Sequence, residues 1–170
     1  MENLKSRLQK IAWQEYTHPC YPSSYFARLP RLFLMLFDDD ASVAKNAAFK
    51  LSNIICHQGN AGSIAVPSLP FLLERVESHP PIAVLEELME IMYWFSHYLE
   101  PVDTSQWKSE DWELKKRAFN YPDDYRWTHS IRKLMCQKFE LFEQLSKHDN
   151  EDVIAYAEMT LEKLAPFRKA

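Results

Sequence analysis

Glycine is nearly missing from this chain. Only Gly59 and Gly62 occur among 170 residues, both in the loop His57-Gln58-Gly59-Asn60-Ala61-Gly62-Ser63. That leaves almost no material for the tight turns of β-hairpins, so an all-α fold is expected. Cysteine is scarce too, since Cys20, Cys56 and Cys136 are odd in number and widely separated. A disulfide framework is thereby disfavoured, and free thiols in a reducing compartment are the expected state. Long apolar runs are absent, the longest being Leu32 to Phe37, far too short to span a bilayer. Residues 1 to 20 carry Lys5, Arg7 and Lys10 without the apolar centre of a signal peptide, which points to the cytoplasm and to no membrane partner.

What is present is periodic. Apolar residues recur at spacings of 4, 4 and 3 in Val43, Ala47, Leu51, Ile54, again in Val84, Leu88, Met92, Phe95, and again in Val153, Ala157, Leu161, Leu164. The copies are offset by 41 and then 69 residues. A unit of about 40 residues, the period of HEAT or armadillo repeats, thus recurs around one insertion. Leu29-Pro30-Arg31-Leu32-Phe33 and Leu69-Pro70-Phe71-Leu72-Leu73 precede the first two stripes and make each unit a helix, a turn and a helix. The spacing predicts helices near 3–16, 28–37, 41–56, 65–77, 82–99, 128–147 and 151–165, in one HEAT-like α-solenoid domain of about three stacked pairs over 1–170. Leu4, Leu8 and Ile11 edge the first helix. Pro30, Pro67, Pro80 and Pro81 read as helix starts, while Pro70 falls later in its helix and is expected to bend it. Asp38-Asp39-Asp40 and Asp149-Asn150-Glu151-Asp152 sit where a second helix begins, which suits capping oxygens and negative charge; a ligand site is the less ordinary alternative.

The repeat is interrupted from 101 to 127, a segment with six aromatics among 27 residues, a composition unlike that of a disordered linker. A short helix around 105–119 packed on the repeats is expected. The aromatics either seal the insertion to the repeats or form a binding face. Charge is uneven in the same region: residues 84 to 127 hold ten acids and five bases, the remainder fourteen acids and fifteen bases. With Val84 as the buried direction, Glu86, Glu90, Tyr93 and His97 lie on the opposite side of their helix, as do Glu158 and Glu162 on the third. Second helices of stacked pairs usually line the concave side of a solenoid. These residues are therefore candidates for an acidic concave surface, the plain alternative being a solvated helix face. Together with Trp107, Trp112, Tyr121, Asp123, Asp124, Tyr125 and Trp127 they form the candidate partner-binding set. Such a surface attracts a basic protein and repels a nucleic acid backbone.

Catalytic patterns are weak. His18 with Cys20 and Cys56 with His57 lack the second half of a zinc spacing. Glu86, Glu90 and His97 spread over three turns and make no compact acid–base or metal set. No phosphate-cradling loop or nucleophile elbow occurs. Neither metal, cofactor nor enzymatic activity is called for. Gly59 can supply the left-handed conformation that ends a helix, with His57 and Gln58 bonding loop backbone or contacting a partner.

Asn53-Ile-Ile-Cys-His57-Gln58-Gly59 followed by Ala65-Val66-Pro67-Ser68-Leu69-Pro70-Phe71-Leu72-Leu73-Glu74 resembles a bacterial HEAT-repeat family. In that family an N-x-x-x-H-Q-G turn precedes an A-x-P-x-x-P-F-L-L-E helix. Trp13-Gln14-Glu15-Tyr16, the Leu29-Pro30 helix and the Asp38-Asp39-Asp40 boundary agree with it, and the likeness covers roughly residues 11 to 95. Cys56, where the family often has Trp, and Asn60 to Ser63 depart from it. Members commonly serve as immunity proteins in polymorphic-toxin and contact-dependent growth inhibition systems. The resemblance implies that this chain binds a cognate toxin domain, a basic one on the charge map, and blocks it. A generic HEAT-like scaffold in a multiprotein complex is the alternative. A HEAT-like DNA glycosylase would need a basic groove, and the charge map shows the reverse.

Overall fold

The computed structural model describes residues 3–99 and 126–168, and among them the chain is all helical, with a lone bridge between His18 and Tyr21 in place of any strand. The helices are α1 (Leu4–Gln9), α2 (Leu29–Leu36), α3 (Ala41–Ile55), α4 (Ala65–Glu77), α5 (Ile82–Phe95), α6 (Arg126–Gln137), α7 (Phe139–Leu145) and α8 (Glu151–Leu164). The expected short helix around 105–119 lies outside the described residues. No described helix is long and apolar enough to cross a membrane.

The helix boundaries follow local chemistry. Asp40 accepts hydrogen bonds from the backbone N–H groups of Ser42 (2.8 Å) and Val43 (3.3 Å) at the start of α3. Asn150 does the same for Val153 (3.0 Å) at the start of α8, whose first turn carries Glu151 and Asp152 beside the exposed N–H groups. The acidic runs are therefore caps. Pro30 occupies the first turn of α2, Pro67 is the third residue of α4, and Pro80 and Pro81 stand just ahead of α5. Pro70 lies inside α4, which nevertheless runs from Ala65 to Glu77. The missing N–H leaves the Val66 carbonyl without its usual donor, and packing on both sides of the proline carries the helix across.

Three expected helices are shorter than the apolar pattern indicates. The first ends at Gln9, and Trp13–Glu15 form a separate 3-10 turn. Trp13 turns inward, stacking on Phe33 at 5.6 Å between ring centroids and donating its indole N–H to the Leu8 carbonyl at 3.0 Å. The expected 128–147 helix breaks at Lys138, which separates α6 from α7 and pairs with Glu77 of α4. Finally, α5 gives way to a 3-10 turn at Ser96–Tyr98, where the Ser96 hydroxyl donates to the Tyr93 carbonyl at 2.6 Å and competes with the helical ladder.

Packing uses the predicted stripes. Ala47, Leu51, Ile54, Val84, Leu88, Met92, Phe95, Val153, Ala157 and Leu164 are all buried. Val43 and Leu161 are half-buried at the margins of theirs. Ala44 and Ala48 are buried beside Ala47, and these small side chains let α3 come close to its neighbours. Helix α5 packs against α3 on one flank and α8 on the other, while α3 packs on α2, α4 on α5 and α6, and α7 on α8. Phe33 of α2 meets Phe71 of α4 at 5.3 Å. At roughly 1.5–3 kcal/mol for each fully buried large apolar side chain, this continuous core supplies the main favourable term in folding.

Candidate functional site

The central position of α5 determines its exposed strip. Val84, Leu85, Leu88, Met89, Ile91, Met92 and Phe95 are buried, so an arc of about 160° around its axis, at 100° per residue, faces other helices. Because Leu85 and Met89 are buried as well as Val84, the centre of the buried arc sits about 50° around the axis from the Val84 direction at 100° per residue. The open strip therefore contains Glu87 and Trp94 in addition to Glu86, Glu90, Tyr93 and His97. All but His97 are half-buried, as befits a strip recessed between neighbouring helices.

The strip is organised by specific contacts. Glu86 accepts a hydrogen bond from the Asn150 side-chain amide at 2.9 Å, tying α5 to the residue that caps α8. Glu90 accepts the Trp94 indole N–H at 3.4 Å. Tyr93 lies 5.1 Å from Trp94, 4.7 Å from His97 in an edge-on arrangement and 5.8 Å from Tyr156 of α8. His97 donates its Nδ1–H to the Tyr93 carbonyl at 3.1 Å. Among the described residues no cation forms an ion pair with Glu86, Glu87 or Glu90. Burial raises the Glu87 carboxyl above its usual range, Glu90 and Glu86 add to the rise, and Lys45 opposes it. The Tyr156 hydroxyl is likewise raised, first by burial and then by Glu90, Asp152 and Glu87. A negative potential is thus concentrated on an aromatic surface.

The His57-Gln58-Gly59 loop holds one edge of this surface. Gln58 and Gly59 both adopt left-handed backbone, with φ of 50° and 78°. A Cβ on Gly59 would lie 2.8 Å from the Trp94 ring, so glycine lets the loop lie directly against that side chain. Tyr98 donates its hydroxyl to the Gly59 carbonyl at 2.8 Å and accepts from the Ala61 N–H at 3.3 Å. His57 is hydrogen-bonded to the Tyr21 hydroxyl at 3.1 Å. Buried His18 receives the Cys20 N–H on Nδ1 at 3.0 Å, which leaves Nε2–H to donate to the Asn60 carbonyl at 2.9 Å. Burial pulls its pKa down to about 4, the Asn60 bond opposing and His57 assisting. A Cβ on Gly62 would lie 2.2 Å from the Thr17 carbonyl oxygen. The loop motif is therefore a structural clasp between the N-terminal segment and the end of α5. Cys56, Cys20 and Cys136 are free thiols, and burial pushes Cys56 up to about 12.

Other sequence candidates fall elsewhere. Glu158 and Glu162 are exposed, but lie about 160° and 120° around α8 from Tyr156 and so stand apart from the α5 strip. Trp127 is only 8% exposed and packs 5.5 Å from Tyr98, which makes it a core residue and not an exposed anchor. Trp107, Trp112, Tyr121, Asp123, Asp124 and Tyr125 lie outside the described residues. Glu87, Trp94 and Tyr156 were missed by sequence reasoning. The adjacent apolar pairs Val84-Leu85 and Leu88-Met89 are the signal that would have moved the strip toward the first two.

Between the strip and α3 lies a cavity of about 250 Å³ lined by Phe49, Asn53, Cys56, Glu87, Glu90 and Trp94. Among the described residues no three His, Cys, Asp or Glu side chains gather as a metal site. Chemically the arrangement offers recessed carboxylates beside aromatic faces, suited to a cationic group with an apolar stem. No protein family, curated protein or solved structure matched the chain.

Proposed function

We propose that the chain is a HEAT-like stack of helix pairs that binds a basic protein domain along α5, acting as an immunity protein that neutralises a cognate toxin. The observation that carries the binding part is the triplet Glu86, Glu87 and Glu90, outside any ion pair among the described residues and set among Tyr93, Trp94 and Tyr156. The row α3, α5, α8, in which α5 packs on both others, supports the stacked arrangement. Recessed carboxylates outside any ion pair keep most of their field for an incoming partner, Lys45 offsetting only part of it at Glu87, and speed its encounter, while desolvated aromatics supply anchors of about 2 kcal/mol or more each. The immunity part rests on the sequence resemblance.

The test is co-expression with a toxin domain encoded beside this chain's own gene, followed by charge reversal; a neighbourhood without one counts against the immunity reading. Glu86 holds Asn150, so Glu87→Lys with Glu90→Lys is the cleaner variant. The wild-type chain should restore growth, and the folded double variant should lose protection and the salt dependence of association. Full protection by that variant refutes the α5 surface. A natural partner that proves to be a multisubunit assembly with no toxin domain refutes the immunity reading in favour of a scaffold.

A further inference from the structure

On the other side of α3 the charge changes sign. A groove of about 710 Å³ runs between the Ser23–Arg28 turn, α2 and α3, with Tyr25, Met35 and Phe49 along its apolar floor and Arg28, Arg31 and Lys50 at its rim. All three cations are exposed, and among the described residues none forms an ion pair. Phe49 is 56% exposed although it belongs to a helix whose other face is packed in the core. Phe49 and Asn53 line this groove and also the acidic cavity beside Glu87 and Glu90. The outer ridge of α3 therefore separates a basic half from an acidic half, with an uncovered aromatic ring at the divide.

We propose that this groove is a second docking site for the protein partner, taking an acidic segment whose large apolar side chain seats on Phe49 while its carboxylates meet Arg28, Arg31 and Lys50. This rests on the protein-binding reading of the chain and extends it to a dipolar surface straddling α3. Charge complementarity selects the occupant. Three exposed cations outside any ion pair among the described residues, around an apolar floor, call for carboxylates flanking an apolar group. A nucleic acid strand fits less well, because the tyrosine faces it would stack on are already used. Tyr21 and Tyr25 stack on each other at 5.0 Å, and the Arg28 guanidinium lies 4.2 Å from the Tyr25 ring centre. Glu87 and Glu90 across the ridge would also repel phosphates. A partner crossing α3 must instead carry acid on one side and base on the other, a pattern that excludes uniformly charged competitors.

The experiment pans a displayed random dodecapeptide library on the full chain and measures the best enriched peptide, fluorescently labelled, by polarisation. Enriched sequences should combine Asp or Glu with a large apolar residue. Binding should weaken at least tenfold in Arg31→Glu, Lys50→Glu and separately in Phe49→Ala, substitutions at exposed positions whose circular dichroism and thermal midpoint should match wild type. Peptides without acidic residues, or peptides bound equally by the reversed variant, overturn the proposal. So does an oligothymidine strand that displaces the peptide, or a panning that enriches nothing. If binding is instead abolished by Glu87→Lys, Glu90→Lys and untouched by Arg31→Glu, Lys50→Glu, the groove assignment fails while protein binding along α5 stands. The growth assay tests the latter independently.

Discussion

Replacing Gly59 by alanine probes how the loop supports the α5 strip, and its cost can be worked out in two parts. The first is local: at φ of 78° an L side chain is strained, a penalty of about 1–2 kcal/mol. The second is a contact: the new Cβ would sit 2.8 and 2.9 Å from two carbons of the Trp94 ring, closer than ordinary van der Waals approach, so the ring must move. Trp94 is half-buried and can give way toward the open strip, which limits the contact part to about 1 kcal/mol, the lower end for overpacking. The expected total is about 2–3 kcal/mol, measured by chemical denaturation followed with far-ultraviolet circular dichroism. Repeating the substitution in a Trp94→Leu background separates the parts, because the shorter side chain removes the ring and leaves the backbone penalty. Near-ultraviolet circular dichroism should change in the first background through Trp94. Equal costs in the two backgrounds would refute the ring contact, and a cost under about 0.5 kcal/mol would refute the left-handed backbone as well. Gly62→Ala should be worse than Gly59→Ala, since its Cβ meets backbone at Thr17 and His18, which has no rotamer to adopt.

His18 makes stability depend on pH. Its pKa falls from 6.5 to about 4 on folding, so the native state resists protonation; stability is full above the unfolded value and declines as pH drops from 6.5 toward 4, by roughly 3 kcal/mol. Denaturation midpoints across that window should show the slope, and a His18→Gln chain should lack this component. Leu51→Asp or Leu88→Asp places a carboxylate at a fully buried site and costs several kcal/mol, comparable with total stability; soluble variants with unchanged thermal midpoints would refute the register. Asn150→Ala removes both the α8 cap and the bond to Glu86, and a loss of about 1 kcal/mol or somewhat more is expected in the same denaturation assay.

Much of the fold was legible before any tertiary contact was known. The 4, 4, 3 spacing marks buried stripes because side chains three and four positions apart share a helix face, and ten of the twelve stripe residues are buried. Asp40 and Asn150 cap where acids precede an apolar period, and Gly59 takes the left-handed conformation expected of a glycine just past a helix. Periodicity reports the angle of a residue around its own helix axis, and nothing beyond that axis. How far the buried arc of α5 extends depends on having α3 and α8 on either flank, which is why Glu87 and Trp94 joined the strip only in the folded chain. Tyr156 reaches Tyr93 across 63 positions of sequence, and Trp127 turns inward onto Tyr98, through packing that no local pattern records. The division of α3's outer ridge into basic and acidic sides has the same origin. Its charges come from the Ser23–Arg28 turn, α2, α3 and α5, segments that meet only because burying their apolar faces leaves one relative placement of the helices.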